Sequence, residues 1–324
     1  MRVFINGFGR IGRSVLRAWA TAPQHWPGVE IVGINDIATP EMCAYLFEYD
    51  SIFGPWRGSV ALHEGALVVD GRAIPLHCTD DISTLDLSAV DLVMECTGRA
   101  DKAEVASRGL DAGAGRVLVS GPSKAAELTV VLGANEAALA DQRIISNASC
   151  TTNALAPLVR LLDQAYGVVT GSMTTVHCYT GSQPTMDAPA ADYPRSRAAA
   201  LSMVPTTTSA QRLLDQVLPD LAGRVMGSAV RVPVASVSCV DLSVVTARPA
   251  TVEGVNTLFR QAGGVIGATD RPLVSTDLRA RPESIVMALP ETRMSPQGLL
   301  RIFGWYDNEW GFSNRMLDVA LRLG

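Results

Sequence analysis

Several protein classes are excluded by what this 324-residue sequence lacks. Its six cysteines, Cys43, Cys78, Cys96, Cys150, Cys178 and Cys239, form no Cys-x-x-Cys pair, so no zinc site suggests itself and no metal is expected. A chain this long also needs no disulfide framework, and a reducing compartment is expected. No apolar run approaches the roughly 18 residues of a membrane-spanning helix, and Arg2-Val3-Phe4-Ile5-Asn6 opens without a basic flank and a long apolar stretch. The expectation is a soluble, cytoplasmic protein that is not exported. Charge is sparse, 18% of residues, and acids outnumber bases for a net charge of -5, which argues against nucleic acid or an anionic membrane as the main partner. The partner is expected to be small. What the chain does have is apolar material, 48% of residues, enough for two packed domains.

Val3-Phe4-Ile5 is a short apolar strand signal that runs into Asn6-Gly7-Phe8-Gly9-Arg10-Ile11-Gly12-Arg13, and Ile11, Val15 and Trp19 then recur at a spacing of four. This order reads as strand, glycine turn, amphipathic helix. Within it, Gly7 permits a tight turn, Gly9 lets the backbone approach a pyrophosphate and Gly12 lets helix and strand pack closely. A second strand, Val29 to Ile34, ends at Asn35-Asp36, and the Asp36 carboxylate would accept ribose hydroxyls and repel a 2'-phosphate. NAD is therefore the expected cofactor, against the plainer reading in which the glycines only make a turn and Asp36 only caps a helix. Further apolar runs, Ala89 to Cys96, Arg116 to Val119, Leu128 to Leu132 and Arg143 to Ile145, read as parallel strands buried on both faces. Thr97, Gly98 and Ser120 follow two of them and join the candidates for the cofactor crevice, more weakly than the glycines because small residues also make ordinary turns. Val60 to Ile82, with Asp70-Gly71 as a hairpin turn, reads as a small antiparallel insertion.

Cys150 lies between the run ending at Ser146 and the apolar periodicity of Ala154 to Leu162, at what reads as a helix start capped by Ser149. The free N–H groups and dipole there favour a thiolate, the form that attacks carbonyls. Longer alternating strands follow: Gly171 to His177, Val225 to Pro233, Ser236 to Val245 and Leu299 to Tyr306. They suggest a separate α+β domain with a mostly antiparallel sheet. His177 ends the first of these strands, one of only four histidines, and could exchange a proton with the thiol. The long stretch from Cys178 to Pro205 carries Arg195 and Arg197, and Pro205-Thr206-Thr207-Thr208-Ser209 supplies hydroxyl and backbone donors ahead of a helix. With Arg231 these groups suit an oxyanion such as phosphate, although each arginine alone is as well read as a surface charge.

The blocks Ile5 to Arg13, Ser146 to Asn153, His177-x-Tyr179-Thr180-x-x-Gln183, Pro205 to Thr208, Arg231-Val232-Pro233 and Trp305 to Gly311 occur in order, and along its full length the chain resembles phosphorylating glyceraldehyde-3-phosphate dehydrogenases. The resemblance implies a Rossmann-type NAD-binding domain over residues 1–149, completed by a C-terminal helix within 309–324, and a catalytic domain over 150–308. It implies Cys150 as nucleophile and His177 as its acid–base partner. Gly7, Phe8, Gly9, Arg10, Ile11, Gly12, Asp36, Thr97, Gly98, Ser120 and Asn308 would hold the cofactor, with Asn308 on the nicotinamide carboxamide. Thr180 and Arg231 would hold the substrate's phosphate, and Ser149, Thr151, Thr208, Ser209 and Arg195 would surround the attacking phosphate. A homotetramer is implied, with the Cys178 to Pro205 loop packing against a neighbour's cofactor site.

Departures from the family pattern are Ala154 where many members have a second cysteine, Ser209 where glycine usually follows the threonines, Phe312 for a usual tyrosine, and a poorly matching His63 to Asp81 region. Erythrose-4-phosphate dehydrogenases share the cysteine and glycine blocks but typically lack the Tyr-Thr pair after the histidine and the triple threonine, both present here. A paralogue paired with arsenate handling would look the same. A thiol-bearing NAD-binding sensor without catalysis is the competing class, and the retention of Cys150, His177, Arg231 and Asn308 together argues against it.

Overall fold

The alternating apolar runs of the first half assemble into one nine-stranded sheet, seen in a computed structural model that describes residues 1–190 and 192–324. The chain divides into two units. The first comprises Met1–Val130, Glu136–Ala148 and Ser313–Gly324, and the second Val131–Asn135 and Ser149–Phe312.

The first unit holds β1 (Arg2–Asn6), β2 (Glu30–Asn35), β3 (Val60–His63), β4 (Ala66–Val69), β5 (Arg72–His77), β6 (Leu92–Glu95), β7 (Arg116–Val119), β8 (Leu128–Thr129) and β9 (Ile144–Ser146), in the order β3-β4-β5-β2-β1-β6-β7-β9-β8. From β5 to β8 every pairing is parallel. Helices α1 (Arg10–Thr21), α2 (Pro40–Glu48) and α3 (Ala103–Asp111) belong to this unit. Phe4, Val93 and Val117 on the strands pack with Val105 and Ala106 of α3 in one apolar cluster, as expected for strands buried on both faces. The register sets Asn6 opposite both Asn35 and Glu95, so three polar side chains stand abreast at the carboxyl ends of β2, β1 and β6.

The expected antiparallel insertion is present as β3, β4 and β5, and β5 also pairs in parallel with β2, so it extends the main sheet. Two expectations about this unit are corrected. The run Ala89 to Cys96 is a strand only from Leu92 to Glu95, since the chain turns at Ser88-Ala89-Val90. The run from Leu128 leaves the sheet after Thr129, and Val131–Asn135 joins the second unit.

The second unit contains α4 (Cys150–Tyr166), β10 (Val168–Cys178), β11 (Val204–Thr206), α5 (Ala210–Val217), β12 (Val225–Val232), β13 (Ser238–Thr246), α6 (Val252–Ala262), β14 (Ile266–Thr269), β15 (Ile285–Ala288), β16 (Arg293–Met294) and β17 (Leu299–Tyr306). The sheet order is β11-β12-β10-β13-β17-β15-β14, with β16 beside β17. The sheet is mixed. Pairings β11–β12, β10–β13, β13–β17, β15–β17 and β16–β17 are antiparallel, whereas β10–β12 and β14–β15 are parallel. Val240, Leu242 and Val244 of β13 are buried, while Asp241, Ser243 and Val245 between them are not, so one face carries the helices and the other is more open. On that open face Arg301 grips Asp241 through two hydrogen bonds, both 2.8 Å. The last helix, α7 (Trp310–Leu323), returns the chain to the first unit from Ser313 onward. Among the described residues no helix is long and apolar enough to cross a membrane.

Candidate active site

In the first unit a cleft of about 190 Å³ opens at the carboxyl ends of β1, β2 and β6. Of the residues expected at a cofactor, Gly7, Gly9, Asp36 and Thr97 line it; Phe8, Arg10, Ile11, Gly12, Gly98 and Ser120 do not. The glycines differ physically. Gly7 has φ +92°, and a Cβ there would stand 2.7 Å from the backbone of Cys96 and Thr97. At Gly12 a Cβ would stand 2.1 Å from the Gly7 carbonyl oxygen, so α1 can approach the turn only without a side chain. At Gly9 a Cβ would meet nothing within 4 Å. Its missing side chain therefore serves no contact within the chain. Asp36 accepts from Phe8 N at 2.6 Å and Ala38 N at 2.9 Å, which fixes the carboxylate beside the glycine turn. Phe8 itself is buried with its ring stacked on Phe47, and Arg10 pairs with Asp50.

Beneath this cleft lies a polar chain that sequence reasoning did not find. Thr79 and Asn35 exchange two hydrogen bonds of 3.0 Å, Asn35 Nδ2 donates to Asn6 Oδ1 (2.9 Å), and Asn6 Nδ2 donates to Glu95 Oε2 (2.5 Å). The other Glu95 oxygen accepts from Thr97 N at 2.9 Å and from the Thr97 hydroxyl. Burial pushes the Glu95 carboxyl above its usual range against these donors. The signal was a lone acid at the end of an apolar strand, but its partners come from other strands and only the register reveals them.

In the second unit a cavity of about 350 Å³ brings together Ser149, Cys150, Thr151, His177, Arg195, Thr208, Ser209 and Arg231, all expected at the reaction centre, together with Thr175, Thr207 and Ala229. Thr180 is not among them; its hydroxyl meets that of Ser182 at 3.0 Å. Asn308 lies in the buried turn after β17 and accepts a hydrogen bond from Cys178 Sγ at 3.1 Å. Two arginines and several hydroxyls with no carboxylate in the wall suit an anion.

Local structure explains how these groups converge. Ala148 has φ 56°, its N–H held by Ser146 Oγ at 3.1 Å, and this turn leads the chain from β9 into α4. Ser149 caps α4 by accepting from Thr152 N at 3.1 Å, so Cys150 is the first helical residue, as expected. His177 near the end of β10 pairs in register with Arg231 of β12, and this parallel pairing brings both side chains to the cavity. Cys150 Sγ stands 3.5 Å from His177 Nε2. His177 Nδ1 lies 2.7 Å from the Cys178 carbonyl oxygen and 2.8 Å from Arg231 Nη1, which itself donates to that oxygen at 3.0 Å. The Cys178 carbonyl, an acceptor only, favours the proton on Nδ1, whereas Arg231, a donor only, favours it on Nε2; in the first tautomer the Nε2 lone pair faces the thiol. Arg195 donates to Thr206 Oγ1 (2.7 Å) and Thr207 Oγ1 (3.1 Å) and pairs with Asp192 at 3.3 Å. Ser209 has φ -77° and ψ -6°, ordinary helical backbone, and makes no side-chain capping bond. A glycine is not required there.

Burial opposes the expected thiolate at the helix start. Burial raises the Cys150 thiol above its usual value and outweighs the opposing Arg231 charge and the Thr151 and Cys150 donors. Burial and then Arg231 hold His177 down, to about 4, against the Cys178 carbonyl. Both shifts favour the neutral thiol and imidazole over the charged pair, which forms when a proton passes from Sγ to Nε2 and each charge offsets the other's desolvation.

Two family profiles match the chain: "Glyceraldehyde 3-phosphate dehydrogenase, NAD binding domain" over residues 1–103 and "Glyceraldehyde 3-phosphate dehydrogenase, C-terminal domain" over residues 149–308. A Cereibacter sphaeroides glyceraldehyde-3-phosphate dehydrogenase is 44% identical over all of this chain and 98% of its own length. The chain belongs to the glyceraldehyde-3-phosphate dehydrogenase family. Relatives of the same name from Pseudomonas aeruginosa, 45% identical over 100% of this chain and 98% of theirs, and from Bacillus subtilis, 40% identical over 99% and 97%, agree. The cleft lies within the first family domain apart from Val105 and Arg108, and the cavity wholly within the second.

Proposed function

We propose that this enzyme couples oxidation of glyceraldehyde 3-phosphate by NAD to formation of 1,3-bisphosphoglycerate, through a thioester on Cys150. The observation that carries this reading is the cavity in which Cys150 and His177 share one wall with Arg195, Arg231, Thr208 and Ser209, because a thiol acyl carrier that discharges to phosphate needs anion donors beside the sulfur. His177 Nε2 takes the thiol proton as Cys150 Sγ bonds to the aldehyde carbon, returns it to the resulting alkoxide to give the hemithioacetal, and takes the hydroxyl proton again as hydride leaves C1. NAD supplies the hydride acceptor. Phosphate held by Arg195 and the hydroxyls of Thr151, Thr208 and Ser209 attacks the thioester carbon, the carbon–sulfur bond breaks, and Cys150 leaves as thiolate while the acyl phosphate departs. Arg231 would hold the substrate's own phosphate, with Thr180 as its partner.

The cofactor fits the first unit. The open space over Gly9 would admit a pyrophosphate against the start of α1, and Asp36 would take the ribose hydroxyls. Residues 1–149 with 309–324 are the NAD-binding domain in this reading, and 150–308 the catalytic domain, with Asn308 at the nicotinamide carboxamide. Tyr193, Leu201 and Met203, 93%, 78% and 74% exposed in the long stretch after β10, support a homotetramer in which neighbouring copies cover them. All six cysteines are free, in keeping with a cytoplasmic setting.

The test mixes protein, NAD and glyceraldehyde 3-phosphate and follows reduced-nicotinamide absorbance with and without inorganic phosphate. Sustained turnover only with phosphate is expected. Turnover indifferent to phosphate points to release by water, and absence even of a burst points to a non-catalytic sensor.

A further inference from the structure

Tyr306 ends β17 and is 2% exposed, yet its hydroxyl is far from idle. It lies 2.8 Å from Thr151 Oγ1 and 2.8 Å from Thr175 Oγ1, and both threonines line the cavity around Cys150. Its ring meets His177 edge-on, with centroids 6.0 Å apart and planes at 74°. Three elements, α4, β10 and β17, thus meet in one buried row of hydroxyls.

Proton counting gives the row a direction. A phenol has one proton, so Tyr306 donates to one threonine and accepts from the other. If it accepted from Thr151, the Thr151 oxygen would turn lone pairs toward the cavity and repel an anion. If it donates to Thr151, the Thr151 proton is free to point at negative charge, and Thr175 completes the row by donating to Tyr306. Negative charge at the sulfur selects this second polarity and strengthens each bond in the chain. The Thr151 N–H and hydroxyl are among the groups that favour the charged form of Cys150.

We propose that Tyr306 is a positioning residue for the reaction: by donating its buried proton to Thr151, it holds the Thr151 hydroxyl as a donor toward the Cys150 sulfur and the anion beside it. The inference rests on Cys150 being the nucleophile. Other titratable or charged groups at Cys150 are His177 and Cys178 on β10, Arg231 on β12 and Arg195 in the cavity wall.

The test measures the rate of Cys150 alkylation by iodoacetamide against pH in the full-length protein, with the labelled peptide identified by mass and residual turnover followed in parallel. Tyr306→Phe is expected to move the midpoint up by about one pH unit, a tenfold smaller thiolate fraction at neutral pH. Thr175→Val, which leaves Tyr306 only Thr151 to donate to, keeps the parent midpoint. An unmoved midpoint in Tyr306→Phe, or equal shifts in both variants, overturns the proposal. Should Tyr306→Phe not fold, Thr151→Ser against Thr151→Val decides: the serine keeps the midpoint and the valine raises it, and a valine without effect is refuting. Full turnover after Cys150 is labelled would instead remove the nucleophile assignment itself.

Discussion

Alanine at Gly9 separates a glycine kept for a ligand from one kept for the chain. Gly9 has φ -72° and ψ -157°, an extended N-cap conformation open to any residue, and its added Cβ meets nothing within 4 Å. The substitution should cost the fold little. Lower freedom of the unfolded chain favours alanine by about 0.4–1 kcal/mol, and alanine's poorer capping opposes this by about as much. The net is within about 1 kcal/mol. The new methyl nevertheless fills the space where a pyrophosphate would reach the backbone of α1, and losing one hydrogen bond to a charged group costs about 1.5–3 kcal/mol. Titration calorimetry should then find NAD bound about 10- to 150-fold more weakly, with the urea midpoint nearly unchanged. Gly12→Ala is the contrast: its Cβ would lie 2.1 Å from a carbonyl oxygen, so stability itself should collapse. A Gly9→Ala protein that binds NAD as tightly as its parent, or that loses as much stability as Gly12→Ala, refutes the reasoning.

His177 makes stability depend on pH in a direction the structure fixes. Its pKa falls from 6.5 to about 4 on folding, so between these values the unfolded chain binds more protons and stability rises with pH. Lowering pH through that window should cost up to about 3 kcal/mol, measured as a urea-midpoint slope that is correspondingly reduced in His177→Gln; equal slopes would count against the buried neutral imidazole. Ser209→Gly removes a hydroxyl that makes no capping bond and lines the anion cavity, and loss of one hydrogen bond to a charged acceptor, about 1.5–3 kcal/mol, predicts a phosphate KM about 10- to 150-fold higher. An unchanged KM would show that the hydroxyl points elsewhere.

Features that were legible in the sequence are those set within a few neighbouring residues. The glycine turn, the second strand ending near Asp36 and the capped helix at Cys150 each follow from local sterics, local capping or local periodicity, and β7 and β17 have the bounds their apolar runs predict. Features that depend on register were not legible. Alternation along β10 and β12 is the same whether they pair parallel or antiparallel, so the parallel pairing that sets His177 beside Arg231 leaves no mark in either segment. Glu95 looked like any strand-ending acid because Asn6 lies 89 residues away. The burial that opposes a thiolate at Cys150 was missed for a related reason. A helix start is visible in sequence, whereas the burial that outweighs it is a property of everything packed around the sulfur.

The division of the chain bears on how it is made. Ser313–Gly324 belongs with Met1–Val130, so the first unit is synthesised partly before and partly after the second. Every strand of its sheet is synthesised before β10, yet the part of α7 that it buries follows all of Ser149–Phe312. During synthesis the nucleotide-binding unit therefore lacks Ser313–Gly324 until all of Ser149–Phe312 has emerged, and the surface that this segment packs on stays uncovered for that interval.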